Sequence, residues 1–419
     1  MSFAYDDVPY DTEANSEAHP VAMATIAMLH GLEPAAARNA RVLEIGCGDG
    51  ENIVAAATYL PEATFVGFDL AAAAIEAGNR VAGPNVRLFA GDILEQSGLG
   101  AFEYVIAHGL YSWVPPHVRV KLLALIRESL APNGIAFLSM NALPRWEYRR
   151  ALRELALDRV RDLTDPGARV RGALALVDEI AQGGKDTPGY FGRLAADAAA
   201  YRAHVEAATP PEAPFSRYVF HDLLADGNDP IALPDLEARL GAAGLRLIGD
   251  TPLSRGELPF RQVLVHRDDA PAARPIAAER VNELWLWADF TPSSGGFKTS
   301  TGALVRPPPG SGLERATALA PGFVRVKDLG DPALAPLLLD GFREGVFTLR
   351  SEPPPLHSRV ADHVRARAAA GRAILTNAIH RSFRVPPAEL AMVASGSFDA
   401  PTAERFRRHL FLTREQASP

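Results

Sequence analysis

Apolar and polar positions alternate in blocks along residues 41–140, where short apolar runs are separated by segments with helical spacing. This repeated order of strand and helix predicts a parallel sheet that is covered by helices on both faces. Strands are predicted at residues 41–45, 64–68, 86–89, 102–107 and 135–140. Helices are predicted at 18–30, 51–60, 71–82 and 118–130, with Gly31 ending the first and a turn at 131–134.

After residue 140 the pattern becomes mainly helical, and a helix followed by two strands comes later. The later elements can complete the first sheet, which makes the helical part an insertion above the ligand pocket at the carboxyl ends of the strands. Helices are predicted at 146–182, 190–208 and 233–241, a loop at 183–189, and strands at 245–248 and 260–266. The predicted domains are 1–145 plus 233–267, and the insertion at 146–232.

The last third of the chain has a mixed pattern that predicts a separate α+β domain at 275–419, after a linker at 268–276. It begins with a hairpin-like pair at 280–290 and 303–306, and helices follow at 355–370 and 387–393. Substrate docking and formation of a homodimer are the two roles that we consider for it.

Composition narrows the function classes. The formal net charge of −7 argues against a general nucleic-acid binder, which needs basic surface. The single cysteine, Cys47, excludes an intrachain disulfide or a cysteine metal cluster. The acidic N-terminus does not resemble a signal peptide, and no apolar run reaches the ~20 residues of a membrane helix. We therefore predict a soluble, cytoplasmic protein without a membrane or nucleic-acid partner.

The segment from Glu44 to Gly50 follows the first predicted strand and carries three alternating glycines at Gly46, Gly48 and Gly50. Glycine permits a tight turn and lets the backbone approach a ligand. The dinucleotide fingerprint GxGxxG needs its third glycine at the position of Glu51, so a nucleotide without a pyrophosphate is favoured. A purely structural turn is the alternative.

Two aspartates end the next two predicted strands. Asp69 lies 23 positions after Gly46 and can accept both hydroxyls of a ribose, or cap the helix that follows. Asp92 can accept the amino group of an adenine, with Ile93 against the ring, or act as a turn aspartate. Both aspartates are predicted at the same sheet edge as the glycines.

These residues resemble the class I S-adenosylmethionine-dependent methyltransferases over residues 41–141. The resemblance implies an α/β, Rossmann-like seven-stranded methyltransferase sheet with S-adenosylmethionine as cofactor. It implies that the glycines wrap the methionine end, that Asp69 holds the ribose and that the segment 107–110 lies beside the transferable methyl. The implied cofactor-binding residues are Tyr5, Glu44, Gly46, Cys47, Gly48, Gly50, Asp69, Leu70, Asp92, Ile93 and His108.

Further motifs are similar to bacterial methyltransferases that carry a methyltransferase regulatory domain, a group that includes the rickettsial-type protein-lysine methyltransferases of outer-membrane proteins. The motifs lie at 5–10, 19–20, 108–116, 218–222 and 260–264. Where the group tends to read Asn-Thr-Tyr-Pro-Gly-Trp, this chain has Asn-Ala-Leu-Pro-Arg-Trp at 141–146. Because these positions border the expected acceptor pocket, the acceptor can differ from a protein lysine.

Methyl transfer is an in-line displacement in which the protein supplies orientation and a path for the acceptor proton. The candidates to line that path are His108, Tyr111 and Tyr10, although His108 can equally be a sheet-edge histidine and Tyr111 a packing residue. The candidate substrate-binding residues are Tyr111, Trp113, Asn141, Trp146 and His221. The histidines lack metal-ligand spacing, so we predict no metal.

Three functions remain open from the sequence. The first is N-methylation of a protein or peptide amine of the lysine type. The second is methylation of a small molecule, for which the insertion would be a lid over a closed apolar pocket. The third is a non-catalytic scaffold that binds the cofactor without turnover.

Overall fold

The computed structural model describes residues 8, 12–209, 215–225, 227–253, 259–354, 361–372, 374–399, 402–403 and 405–406. Its central element is a seven-stranded sheet of order β3-β2-β1-β4-β5-β7-β6, in which only β7 runs antiparallel to its neighbours. The strands are β1 (Arg41–Ile45), β2 (Thr64–Asp69), β3 (Val86–Ala90), β4 (Phe102–Ala107), β5 (Leu130–Asn141), β6 (Leu245–Asp250) and β7 (Phe260–Arg267). The predicted sheet and its completion by the two later strands are confirmed.

Four helices connect the first strands and lie within two residues of the predicted starts. Before β1, the His19 side chain accepts the N–H of Val21 and Pro20 takes the first helical position, where its missing N–H costs nothing. Gly31 follows that helix with φ 79°. The helices are α1 (Pro20–Leu29), α2 (Glu51–Tyr59), α3 (Ala72–Asn79) and α4 (Pro116–Ser129).

The turn predicted at residues 131–134 was wrong, because β5 already begins at Leu130. Phe102 of β4 pairs with Leu130, whereas Tyr104 pairs with Ile135, so the extra residues of β5 are absorbed in a register shift. A neighbouring strand supplies hydrogen-bond partners on both sides of the irregularity, and the strand therefore continues through a bulge.

The insertion consists of α5 (Trp146–Arg159), α6 (Pro166–Gly183), α7 (Tyr190–Ala208) and α8 (Arg217–Leu224). The single helix predicted at 146–182 is interrupted, because Asp165 caps the N–H of Ala168 and Pro166 opens a new helix. Helix α8 was missed because its eight residues are too few for a clear period. The four helices share an apolar core that includes Leu152, Val170, Val177, Tyr201 and Leu223.

Helix α9 (Leu233–Ala242) returns the chain to the sheet, and the C-terminal region follows. Its strands are β8 (Trp285–Ala288), β9 (Thr291–Ser293), β10 (Gly296–Lys298), β11 (Leu304–Val305), β12 (Gly322–Arg325), β13 (Thr348–Arg350), β14 (Ile374–Thr376) and β15 (Ser382–Arg384). Its helices are α10 (Gly312–Thr317), α11 (Leu334–Arg343), α12 (Asp362–Ala369) and α13 (Pro387–Ser395). Short 3-10 turns lie at Ser16–Ala18, Ala37–Asn39, Ile93–Glu95, Ala278–Glu283 and Val326–Leu329.

The hairpin predicted from 280–290 and 303–306 was wrong. Strand β8 is the centre of a three-stranded sheet between β12 and β13, whereas β11 pairs with β10 in a different sheet. Leu286 and Trp287 of β8 are both buried, so both faces of this strand are covered, as is usual for a central strand. Local sequence could not indicate those distant partners.

One continuous apolar core joins the C-terminal region to the main sheet. It contains Met23 and Ile26 of α1 together with Phe137 of β5, Leu286 of β8 and Leu338 of α11. The C-terminal region therefore packs against the methyltransferase-like sheet through α1, and the domain boundary near residue 268 stays a prediction. None of the helices in the described part of the chain combines the length and the apolarity required to cross a bilayer.

Candidate active site

The glycine segment forms a tight loop between β1 and α2 at the carboxyl edge of the sheet. The N–H groups of Gly46 and Cys47 both donate to the carbonyl oxygen of Phe68, at 2.9 and 3.1 Å. Gly46, Gly48 and Gly50 have φ values of 71°, 58° and 74°, a region that residues with a Cβ rarely adopt. The loop therefore presents bare backbone at the sheet edge.

Asp69 links the glycine loop to the turn that follows β2. Its Oδ2 accepts the N–H of Gly48 at 2.8 Å, and its Oδ1 accepts the N–H of Ala71 at 2.9 Å. Each carboxylate oxygen has a second lone pair, so the side chain can still accept hydroxyl groups of a ligand. The alternative that Asp69 caps α3 was wrong, because Ala71 is the N-cap of that helix and no side chain caps it. Asp69 instead closes the turn before α3, which leaves the ribose role open.

Glu44 is the buried carboxyl group at the base of the loop. Its Oε1 accepts an N–H of Asn52 at 3.0 Å, whereas its Oε2 is buried with no partner among the described residues. Burial raises the pKa of Glu44 to about 8, and the nearby Asp49 and Asp69 carboxylates raise it further against the Asn52 hydrogen bond. An unpaired buried carboxyl oxygen beside a bare glycine loop fits the ammonium group of an amino-acid end such as that of S-adenosylmethionine.

The segment at residues 12–18 covers the loop and was not predicted as part of the site. The Thr12 hydroxyl donates to Asp49, and the N–H of Asn15 donates to the Asn52 Oδ1 at 3.0 Å. The Asn15 amide also donates to Gln262 at 2.7 Å. Asn15 lay within ten residues of the N-terminal motif, but no local pattern could indicate that this segment folds over the loop.

His108 follows β4 and faces this polar cluster. Its Nδ1 lies 3.2 Å from the Ser139 hydroxyl, and Asn15 Nδ2 lies 3.3 Å from its Nε2. Burial lowers the pKa of His108 to about 4, so the imidazole is neutral near pH 7. The structure therefore combines His108, Asn15, Ser139 and Gln262, of which only His108 was predicted.

The expected adenine edge lies after β2 and β3. Asp92 Oδ1 accepts the N–H of Leu94 at 2.9 Å, which is the turn contact considered as an alternative. Leu70 and Leu94 are 45% and 44% exposed. Together with the half-buried Ile93, they form apolar surface that a flat aromatic ring can cover.

Cys47 is not suited to act as a nucleophile. It is buried, and burial together with the Glu44 and Asp69 carboxylates raises the pKa of its thiol well above the ordinary value. A thiol in this state stays protonated. We assign it the role of a small side chain in the loop wall.

Tyr111 and Trp113 lie just beyond β4 but do not join the His108 cluster. Tyr111 is fully buried in the core beneath α4, and its hydroxyl accepts from Arg239 at 3.4 Å. Trp113 is half-buried, and its backbone N–H donates to the carbonyl oxygen of Leu110. A role for either residue in the reaction stays a prediction.

The remaining candidates lie where the insertion meets the sheet. Asn141 ends β5 and donates from its side chain to Asn228 at 3.3 Å. Trp146 begins α5 and is buried, while His221 on α8 donates to the carbonyl oxygen of Val8 at 2.7 Å. Tyr5 and Tyr10 fall outside the described residues. No group of three potential metal ligands forms in the part of the chain that the structure describes.

Charged residues of the C-terminal region contact the glycine loop, and no local pattern in the sequence predicts these contacts. Arg372 lies 3.4 Å from the Asp49 carboxylate, and Arg367 lies 3.7 Å from it. Arg367 also pairs with Glu51, the first residue of α2. More than 300 positions separate these partners in the sequence.

Comparison with known proteins supports this geometry. The family model described as a methyltransferase domain matches residues 42–134. The uncharacterized protein RP028 of Rickettsia prowazekii is 39% identical over 159 residues, which cover 37% of this chain and 64% of that protein. A trans-aconitate 2-methyltransferase of Deinococcus radiodurans is 38% identical over 96 residues, covering 23% of this chain and 36% of the enzyme. The chain thus matches less than two thirds of these relatives.

The solved structure of PKMT2 from Rickettsia typhi in complex with AdoHcy resembles the chain almost end to end. The TM-score is 0.78 at 20% identity, and the likeness covers 98% of this chain and 94% of PKMT2. The common part includes the insertion and the C-terminal region as well as the sheet. Residues 42–134 therefore form a methyltransferase domain, and the chain has the fold of the class I S-adenosylmethionine-dependent methyltransferases.

Proposed function

We propose that this protein transfers the methyl group of S-adenosylmethionine to an amine of a protein or peptide, of the lysine type. The observation that carries the proposal is the end-to-end likeness to PKMT2, including the insertion and C-terminal region. The methyltransferase domain alone is also similar to a trans-aconitate 2-methyltransferase, so it cannot decide the acceptor. The insertion and the C-terminal region therefore support the acceptor class.

The site residues fit the proposed cofactor. The loop of Gly46, Gly48 and Gly50 would hold the methionine end beside Glu44, and Asp69 would accept the ribose hydroxyls. Asp92 would lie beside the adenine. When bound, S-adenosylmethionine supplies an electrophilic methyl group on a sulfonium.

His108 is our first candidate for orienting the acceptor. The neutral imidazole would accept an N–H of a neutral amine in place of the Asn15 amide, and so direct the amine lone pair along the line of attack. With a pKa near 4, His108 would not retain the proton that the amine loses, and water must carry it away. Tyr111 and Tyr10 stay as further candidates for that proton path.

The variant His108→Ala is expected to lower kcat by about tenfold or more, because the acceptor loses its orienting contact. The dissociation constant for S-adenosylmethionine should stay within about twofold, since we place His108 on the acceptor side and not among the cofactor-binding residues that the resemblance implies. Initial rates of labelled methyl transfer and calorimetric titration measure the two quantities. The control is His117→Ala, because His117 is exposed on α4. Unchanged kcat in His108→Ala would contradict the assignment.

The affinity for S-adenosylmethionine should rise with pH towards about 8 and then level off. In the free protein Glu44 keeps its proton below its pKa of about 8, whereas a bound cation favours the ionised carboxylate. Binding then releases a proton, so the dissociation constant falls by up to about tenfold per pH unit below 8. Titrations at several pH values measure this slope. In Glu44→Gln the part of this slope that comes from Glu44 should vanish, and only the part that comes from titration of the ligand should remain. Equal slopes in the wild type and in Glu44→Gln would refute the role of Glu44.

The acceptor class is tested with labelled methyl from S-adenosylmethionine and a bacterial lysate separated into protein and small-molecule fractions. We expect base-stable label in protein, which acid hydrolysis releases as methylated lysine. Label confined to small molecules would replace the proposal with the small-molecule alternative. Binding of the cofactor without label in either fraction would favour the non-catalytic scaffold.

A further inference from the structure

The hairpin of β14 and β15 inserts its turn into the wall of the candidate cofactor site. At its tip, His380 is 1% exposed and has a φ of 64°. Among the described residues it is the one non-glycine residue with a positive φ. Backbone strain of this kind persists only where the surroundings hold it, and it is concentrated at functional sites.

The turn is held by its own hydrogen bonds. The Asn377 side chain accepts the N–H groups of Ile379 at 3.1 Å and of Arg381 at 2.9 Å. The N–H of His380 donates to the carbonyl oxygen of Asn377 at 2.9 Å. These contacts fix where the imidazole of His380 projects.

A chain of hydrogen bonds leads from His380 to Glu44. Asn52 Oδ1 lies 2.8 Å from the Nε2 of His380 and accepts the N–H of Asn15 at 3.0 Å. Because a backbone N–H can only donate, this side of the Asn52 amide must be its oxygen. The Nε2 of His380 therefore carries the proton, and the Asn52 Nδ2 donates to Glu44.

Contacts of α12 and of the segment after it also connect the C-terminal region to the candidate cofactor site. Arg367 and Arg372 lie against Asp49, and Arg367 also pairs with Glu51, at the start of α2. The His363 imidazole, which is uncharged near pH 7 because burial lowers its pKa to about 4, has its Nε2 3.7 Å from the Glu51 carboxylate. The C-terminal region thus contacts the loop and α2 at three neighbouring polar residues, at positions 49, 51 and 52.

We propose that His380 is a positioning residue of the cofactor site, which holds the Asn52 amide against Glu44 and so keeps this carboxyl group in place for the cofactor. The inference rests on the proposed function in that Glu44 faces bound S-adenosylmethionine. It makes the C-terminal region a part of the cofactor site, beyond the docking or dimer roles considered from the sequence.

The test compares three variants by calorimetric titration with S-adenosylmethionine and by thermal midpoint. His380→Ala removes the donor, and His380→Asn suits a positive φ but is too short to reach Asn52. Both variants should raise the dissociation constant about tenfold, because each loses one buried hydrogen bond. His380→Gln keeps a donor at a similar reach and should recover most of the affinity. His266→Ala, a buried histidine on β7, is the matched control and should bind as the wild type does.

A double-mutant cycle separates positioning from general loss of structure. In the Glu44→Gln background, His380→Asn should change the dissociation constant less than about threefold, because the path ends at Glu44. Full additivity with Glu44→Gln, or unchanged binding by both His380→Ala and His380→Asn, would overturn the inference while leaving the proposed function intact. A folded wild type that does not bind S-adenosylmethionine would overturn the proposed function, and this inference with it.

Discussion

The variant Asp69→Ala is expected to raise the dissociation constant for S-adenosylmethionine by about 100-fold or more. Two hydrogen bonds from ribose hydroxyls to a carboxylate are lost, each worth about 1.5–3 kcal/mol. The variant also frees the N–H groups of Gly48 and Ala71, which now hold the loop against β2. Both effects reduce affinity, and calorimetric titration measures their sum.

Two controls sharpen this result. Asp69→Asn keeps one acceptor oxygen and should lose less affinity than Asp69→Ala. Asp340→Ala replaces an exposed aspartate on α11 and should bind as the wild type does. A dissociation constant for Asp69→Ala within about threefold of the wild type would mean that Asp69 only caps the turn before α3.

The variant Gly78→Ala is expected to weaken cofactor binding by at least about tenfold and to lower the free energy of unfolding by about 1–3 kcal/mol. Gly78 lies inside α3, where helix propensity alone would predict a gain of about 1 kcal/mol for alanine. A Cβ at Gly78 would, however, lie 2.1 Å from the carbonyl oxygen of Asp49 in the glycine loop. Backbone cannot yield as a flexible side chain can, so the loop must move.

The matched control for Gly78→Ala is Gly241→Ala, which makes the same change within α9, where a Cβ would meet nothing within 4 Å. It should keep the wild-type affinity and unfold with unchanged or higher free energy. Urea unfolding and cofactor titration give both quantities. If the two variants behave alike, the contact between α3 and the loop does not control the site.

The first sheet could be predicted because its determinants are local. Short apolar runs such as those of β1 and β4 are long enough to be strands and too short to be helices, and the glycines after β1 leave few alternatives. The same locality placed Glu44 and Asp69 at one edge, because parallel strands end together. Pairing with a neighbouring strand can override a local signal. Residues 131–134 have the composition of a turn but lie within β5, because β4 pairs with this strand.

The partners of buried polar groups could not be predicted, because they come from distant parts of the chain. Asn15 reaches His108 and Gln262, which lie 93 and 247 positions away. Asn52 reads as one polar residue on an alanine-rich helix, and only the fold shows that it joins Glu44 to His380. For the same reason, β8 found its partners in β12 and β13 and not in the nearest strand.

The sequence by itself determined the sheet, its glycine loop and the acidic residues at its edge, because hydrophobic period and glycine placement act over a few residues. Only the tertiary structure decided which side chains surround that edge. A buried polar group without a partner costs free energy, so distant segments bring partners to it, and the N-terminal segment and the C-terminal hairpin meet at Asn52. The chemistry expected of one local motif thus depends on residues from both ends of the chain.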